Sequence, residues 1–322
     1  MTVARIIVAH MQLRRLGNSG LKISAIGLGG NTFGRTVDGD EAIAVIRRAL
    51  DLGITFVDTA DVYSFGRSEE LVGHALAGRR SEAVLATKCG MAMDEGPHRR
   101  GLSRRWIVQA LEDSLRRLGT DYVDLYQAHM PDPDTPLEET LRAMDDLVRQ
   151  GKVRYIGCSN YAAWQLAQAL GIGGRLGLVP WVSAQNSWNI LDGLDDPSLL
   201  PACGALGVGI IPYTPLASGI LTGKYRRGEE PPPGTRAGDL PAIRKRLTDA
   251  RLAAVERLRP WAEARGHTTA ELAIAWLLSY PEVSSVIVGA RSAAQVEANV
   301  RAGDWSLSPS ERDEALALAQ AV

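Results

Sequence analysis

Eight short apolar runs, rich in β-branched residues, recur along the chain with amphipathic stretches between them. That alternation constrains the fold more than any single residue does. The runs are AIGLGG (25–30), TFVDTA (55–60), AVLATK (83–88), YVDLYQAH (122–129), VRYIGCSN (153–160), VSAQNSW (182–188), VGIIPYT (208–214) and SSVIVGA (284–290). Between them, segments such as DGDEAIAVIRRALDLG, SRRWIVQALEDSLRRLG, PLEETLRAMDDLVRQGK and TAELAIAWLLSYP carry apolar residues at helical spacing, with polar or proline starts and glycine or proline stops. Strand and helix alternating eight times in 322 residues predict a (β/α)8 TIM barrel rather than an open doubly wound sheet. MQLRRLGNSGLKIS, ahead of the first run, predicts an N-terminal β-hairpin turning at Asn18 to Gly20, and an extra C-terminal helix is expected. Residues 1–10 read as a flexible extension or an upstream start, and 11–322, which contain no clean linker, as one domain.

Composition narrows the function. Hydrophobic residues make up 45% of the chain and charged residues 23%, the balance of a globular protein with a sizeable core. The 36 Lys and Arg nearly cancel the 37 Asp and Glu, so no global field is available to hold nucleic acid or an anionic membrane. Any anion site must be local. Cys89, Cys158 and Cys203 are far apart, in apolar surroundings and odd in number, which reads as packed, reduced thiols. The apolar run near the N-terminus is too short for a signal-peptide core and no 18-residue apolar span occurs, so a cytoplasmic location is expected.

Two nucleotide motifs fail on inspection. GLGGNTFG (27–34) has Thr32 where G-x-G-x-x-G needs its third glycine, and GILTGKY (219–225) is one residue short of a P-loop, with Tyr225 in place of the hydroxyl that would meet Mg²⁺. The five histidines follow no metal-binding spacing, so no metal is expected. The longest irregular stretch, residues 216–241, follows the seventh run and falls on the catalytic face of a barrel; a binding element and a mobile surface loop are both open readings of it.

Barrel chemistry uses polar residues at the carboxyl ends of different strands. Here the second run ends toward Asp58 and Tyr63, the third in Lys88, the fourth in His129, the fifth in Ser159 and Asn160, and the sixth carries Gln185. A carboxylate in an apolar strand needs a partner. Lys88 on the neighbouring strand supplies one. An ammonium ~4 Å from a phenol favours phenolate by at most ~4 kcal/mol at an effective dielectric of ~20. The expectation is therefore that Lys88 lowers the pKa of Tyr63 from ~10 toward neutrality, making it a general acid and base. His129 is expected beside the same oxygen, orienting a carbonyl or relaying the proton.

Asp58, Tyr63, Lys88 and His129, in DTADVY, ATK and YQAH, resemble the catalytic tetrad of the aldo-keto reductases, (β/α)8 barrels that use NADPH without a Rossmann domain. GCSNY (157–161), QNSWN (185–189), PYTPLASGILTGKY (212–225) and VGARSAAQVEAN (288–299) resemble that family's cofactor segments in the same order, so the likeness covers nearly the whole chain from Met11. It implies that Ser159, Asn160 and Gln185 bond the nicotinamide carboxamide while Tyr213 stacks on the ring. Leu216, Ser218, Gly219, Leu221 and Lys224 match the strap over the pyrophosphate. Arg291 and Ser292, after Gly289, match positions that bind the adenosine 2′-phosphate, which favours NADP(H), and Gln295 and Asn299 would meet the adenine. Gly30 and Asn31 also fall in a cofactor-binding segment, but they stand where many members carry threonine and tryptophan; an aromatic pocket wall is therefore missing at Asn31, and a substrate cannot be carried over.

The reading is an NADP(H)-dependent reductase of aldehydes or ketones, acting on a small-molecule carbonyl or its alcohol, with Tyr63 as general acid. Two rivals stay open: a cofactor-binding regulatory subunit resembling the potassium-channel β subunits, and an aldolase-like barrel using Lys88 as a Schiff-base amine.

Overall fold

The computed structural model describes residues 11–321, and the expectation for residues 1–10 lies outside them. The hairpin forms first, from β1 (Leu13–Arg15) and β2 (Lys22–Ser24). Six parallel strands follow: β3 (Ile26–Gly29), β4 (Phe56–Asp58), β5 (Val84–Cys89), β6 (Val123–Ala128), β7 (Val153–Ser159) and β8 (Trp181–Gln185). A small hairpin of β9 (Trp188–Asn189) and β10 (Gly193–Leu194) intervenes before β11 (Gly209–Ile210) and β12 (Val286–Gly289). The sheet order β11-β8-β7-β6-β5-β4-β3-β12 curls until its ends meet. A parallel bridge joins Ile210 to Val283, and the amide of Ile287 donates to the carbonyl of Pro212 at 2.9 Å. All eight expected runs supply barrel strands.

Helices α1 (Gly39–Asp51), α2 (Arg67–Leu76), α3 (Arg104–Leu118), α4 (Leu137–Arg149), α5 (Ala163–Leu176) and α6 (Leu199–Leu206) follow β3 to β8 in turn. Their ends are set by local chemistry. Ser103 caps α3 by accepting from the amide of Trp106, and Gly119 ends it in the left-handed region at φ 62°. After β11 come α7 (Arg236–Asp239), α8 (Pro241–Arg244), α9 (Asp249–Glu263) and α10 (Thr269–Leu278); α11 (Ala293–Ala302) and α12 (Pro309–Gln320) follow β12. The expected C-terminal helix is α12, begun by a Ser308–Glu311 capping box with Pro309 in its first turn.

The seventh strand is the shortest of the ring. Pro212 has no amide to donate, and Thr214 turns to φ 56°, so the chain leaves the ladder early. Residues 216–241 are not a bare loop: a 3₁₀ turn spans Ala217–Thr222, Tyr225 is buried, and its hydroxyl accepts from the amide of Ala237.

Two apolar regions hold the barrel. The larger fills the space between sheet and helices. The smaller lies inside the ring, where Phe56, Ala86, Leu125, Ile211 and Ile287 meet Leu16 and Ile23 from the hairpin. Side chains alternate across a strand, so two residues beyond Phe56, Ala86 and Leu125 the same inward face presents Asp58, Lys88 and Gln127. An apolar floor, stoppered by the hairpin, therefore carries a polar layer above it. Leu16→Ala is expected to cost about 2–5 kcal/mol in urea unfolding, as for a core leucine; a loss below about 1 kcal/mol would show that the hairpin is not part of the barrel's core.

Candidate active site

Register brings Asp58 and Lys88 to one end of adjacent strands β4 and β5. Nζ of Lys88 donates to Oδ2 of Asp58 at 2.6 Å, to the carbonyl of Thr59 at 2.8 Å and to the hydroxyl of Tyr63 at 3.3 Å. Lys88 is fully buried and Asp58 is 2% exposed, so each charge depends on the other. The second oxygen of Asp58 accepts from the amides of Gln185, at 2.9 Å, and Gln127, at 3.3 Å. Tyr63 begins a 3₁₀ turn after β4, and its ring meets that of His129 edge to face at 5.7 Å. The four expected catalytic residues are thus one cluster at the carboxyl ends of β4, β5 and β6.

Its electrostatics differ from the expectation in one respect. Burial pushes the Tyr63 phenol above its ordinary pKa; Lys88 pulls it down, but Asp58 and Asp61 push it back up. With a carboxylate 2.6 Å from the ammonium, the pull of Lys88 does not outweigh burial in the resting phenol, although Lys88 remains the group that favours phenolate. Tyr63 therefore holds its proton at neutral pH. Burial lowers the Lys88 pKa, yet the charge of Asp58 and the contacts with Tyr63 outweigh this and leave it raised, which keeps an ammonium and opposes any Schiff-base role. Burial, with Lys88 adding to it, takes His129 down to about 3, and its Nδ1 is buried without a hydrogen-bond partner. Asp61 is also buried; desolvation, then Glu69, takes it up to about 8, so at pH 7 it is mostly a neutral acid, with one oxygen unpartnered.

A cleft opens beside the cluster, lined by Asp58, Tyr63 and Gln185 at one end and Arg236, Arg291 and Asn299 toward the other. Of the expected cofactor residues, Gly30, Asn31, Tyr213, Leu216, Ser218, Gly219, Lys224, Gly289 and Gln295 also line it. Ser159, Asn160, Leu221 and Ser292 are not on its wall. Ser159 donates to the carbonyl of Gln185, Asn160 accepts from the hydroxyl of Tyr213 at 2.7 Å and donates to the carbonyl of His129, and Ser292 caps α11. Leu221 is packed in the core. These four stand behind the wall, where Asn160 links Tyr213 to the His129 backbone. Gly30 admits α2: a Cβ there would sit 2.9 Å from the hydroxyl of Ser68 and 3.0 Å from the carbonyl of Asp58.

Sequence reading missed two members of the site. Gln127 lies fully buried against Asp58, and its signal was a lone amide in the apolar run YVDLYQAH. Arg236 is brought to the cleft by α7; burial lowers its pKa, and the nearby charges of Arg35 and Arg291 lower it further. Two guanidinium groups lining one end of the cleft, with the charge of Arg35 near Arg236, suit a dianionic phosphate, and Tyr213 adds an aromatic side chain to the wall. That donor set fits a phosphorylated dinucleotide. Among the described residues no group of three or more His, Cys, Asp and Glu could hold a metal, and no helix is long and apolar enough to cross a membrane.

A family model described as the aldo/keto reductase family matches residues 25–318. A probable voltage-gated potassium channel subunit beta of Oryza sativa subsp. japonica is 40% identical over 301 residues, covering 91% of this chain and 92% of its own length. L-glyceraldehyde 3-phosphate reductase of Escherichia coli (strain K12) is 38% identical over 305 residues, covering 91% and 88%. Versiconal hemiacetal acetate reductase of Aspergillus parasiticus is 36% identical over 327 residues, covering 94% and 95%.

The charge state of the site can be read directly. The imidazole of His129 is expected to show no protonation by NMR from pH 8 down to pH 5; a titration near pH 6.5 would contradict its burial. Because its folded pKa lies below the unfolded value of ~6.5, its contribution to stability is complete above that pH and is lost as pH falls toward about 3.

Proposed function

This chain belongs to the aldo/keto reductase family, and we propose that it is an NADP(H)-dependent reductase of aldehydes or ketones, with Tyr63 as the general acid. The observation that carries the reading is the buried Lys88–Asp58 couple beneath a phenol that keeps its proton. When bound, the reduced nicotinamide supplies the hydride that the carbonyl carbon accepts, and is left oxidised.

Every other part of the chemistry falls to the chain. The carbonyl oxygen gains charge as its carbon accepts the hydride, and the Tyr63 hydroxyl donates a proton to it. Lys88, held as an ammonium 3.3 Å away, stabilises the phenolate left behind. Neutral His129 orients the carbonyl through its ring N–H without repelling Lys88. Gln185, its amide NH₂ given to Asp58, keeps its carbonyl oxygen for a carboxamide, while Tyr213, braced by Asn160, supplies the stacking face. Ser159 and Asn160 act here by positioning Gln185 and Tyr213.

Arg291 and Arg236, with Lys224 nearer the strap, hold the phosphates, and the crowding of like charge around Arg236 favours the 2′-phosphorylated cofactor over NAD(H). Two of the relatives are named as reductases. The rice relative is named as a channel subunit, so a regulatory reading of this chain has support of its own. Loss of absorbance at 340 nm across a panel of carbonyl compounds separates them: cofactor bound tightly with negligible turnover throughout favours the regulator.

Tyr63→Phe is expected to leave NADPH affinity within about twofold and lower turnover by about 10²–10⁴; an unchanged rate would remove the tyrosine from the mechanism. Arg236→Ala is expected to weaken NADPH binding by about 10–100-fold, as for a lost charged hydrogen bond, and to leave NADH binding nearly unchanged. Equal losses for both would contradict the 2′-phosphate assignment.

A further inference from the structure

The mouth of the barrel divides into two unlike halves. The wall of the cleft comes mainly from the connections after β3, β11 and β12, with Asp58 and Tyr63 from the end of β4 and its connection and Gln185 from the end of β8 at its edge. The connections after β4, β5, β6 and β7 form the other half. Each of these four consecutive connections exposes one large apolar side chain. Phe65, two residues beyond Tyr63, is 74% exposed; Met91, three beyond Lys88, is 37% exposed; Met130, next to His129, is 45% exposed; Trp164, at the start of α5, is 66% exposed.

Single exposed apolar residues are ordinary and need no function. This distribution is not scattered. The large exposed apolar residues among the described ones are these four together with Leu13, in the hairpin, and Leu206, at the end of α6. All four at the mouth follow strands that carry the catalytic cluster or adjoin it. Phe65 is also held there against backbone preference: Ser64 and Phe65 both adopt positive φ, at 50° and 52°, and the hydroxyl of Ser64 anchors the turn to the carbonyl of Phe33 at 2.9 Å. Non-glycine residues in that region are strained, and such strain gathers where a side chain must be presented.

Two of the cations near this half are already engaged. Arg99 pairs with Asp94 at 3.2 Å and Arg100 donates to the carbonyl of the same residue, all within the β5 connection. Cations around Arg236 lie across the mouth, at the far end of the cleft. The half-buried pair of guanidinium groups, Arg236 and Arg291, lines the cleft and not the β4–β7 side.

We propose that Phe65, Met91, Met130 and Trp164 form an apolar rim that selects carbonyl compounds with a broad, uncharged, preferably aromatic body over small polar or phosphorylated ones. This rests on the reductase reading and names the substrate class of that same site. The carbonyl reaches Tyr63 and His129 while the body of the substrate lies outward over the rim, where two aromatic side chains offer faces and two methionines adapt their shape.

The test compares 2-naphthaldehyde with glyceraldehyde 3-phosphate in the NADPH-loaded protein, and follows binding of unreactive 2-naphthamide by calorimetry. The wild type is expected to favour naphthaldehyde in kcat/KM. Phe65→Ser and Trp164→Ser are each expected to lower the naphthaldehyde to glyceraldehyde 3-phosphate ratio by about tenfold or more, mainly through KM, and to weaken naphthamide binding to match. Leu206→Ser, an equal change at the opposite end of the barrel, leaves the ratio unaltered. A wild type that favours the phosphorylated triose, or rim variants with the wild-type ratio, would overturn the rim. Turnover of neither aldehyde would count against the reductase reading, and naphthamide would still judge the rim: weaker binding in both variants supports it, and equal binding overturns it.

Discussion

A carboxylate and an ammonium shut inside a barrel constrain everything around them. An isolated buried ion costs several kcal/mol even after relaxation, and a pair is tolerable only when its remaining hydrogen-bonding capacity is met. Around Asp58 and Lys88 that capacity is met by the carbonyl of Thr59, the amides of Gln127 and Gln185 and the hydroxyl of Tyr63. Thr59 and Tyr63 come from the connection after β4, Gln127 from β6 and Gln185 from β8, so the couple can exist only where the strands are in register. An apolar pair of similar volume would serve stability as well. What the ionic pair adds is a fixed positive head directed at one phenol oxygen.

The surrounding groups are tuned so that little other charge is present. Tyr63 keeps its proton, His129 is neutral and Asp61 is mostly protonated at pH 7, all chiefly through burial. A site of this kind meets the substrate nearly uncharged apart from the internal couple. In the proposed reduction, charge would appear as the carbonyl oxygen takes up its electrons, with the ammonium already in place to answer it without reorganisation. At the other end of the cleft the balance is reversed. There Arg35, Arg236 and Arg291 crowd together, and their mutual repulsion suits an anion more than it suits the bare protein.

Much of this was legible in the sequence because period and position carry it. Eight β-branched runs with helical stretches between them locate eight strands, and reading the polar ends of those runs finds Asp58, Lys88 and His129 without any coordinates. Gln127 gave the same kind of signal, an amide among apolar neighbours, but an uncharged side chain does not demand a partner in the way a carboxylate does, so it passed unnoticed. Arg236 was hidden for a different reason. Its neighbours in space come from residues 35 and 291, and the segment that delivers it has no periodicity to read. The sign of the Tyr63 shift is not legible because the sequence shows that a lysine is near but not how deeply the phenol is buried, nor that Asp58 opposes the lysine. The placement of Ser159 and Asn160 behind the wall depends on the positive φ of Asn160, which no composition reveals.

The hairpin beneath the barrel has one more consequence. With Leu16 and Ile23 packed with Phe56, Leu125 and Ile287, the described residues make the ring a vessel whose base is filled by apolar side chains. Anything that reaches the phenol oxygen must arrive from above and leave the same way, and its passage is policed by loops that contribute nothing to the base. The packing that closes the base and the selectivity proposed for the rim thereby lie at opposite poles of one structure. The upper loops are free to be rewritten for new guests while the vessel keeps its shape.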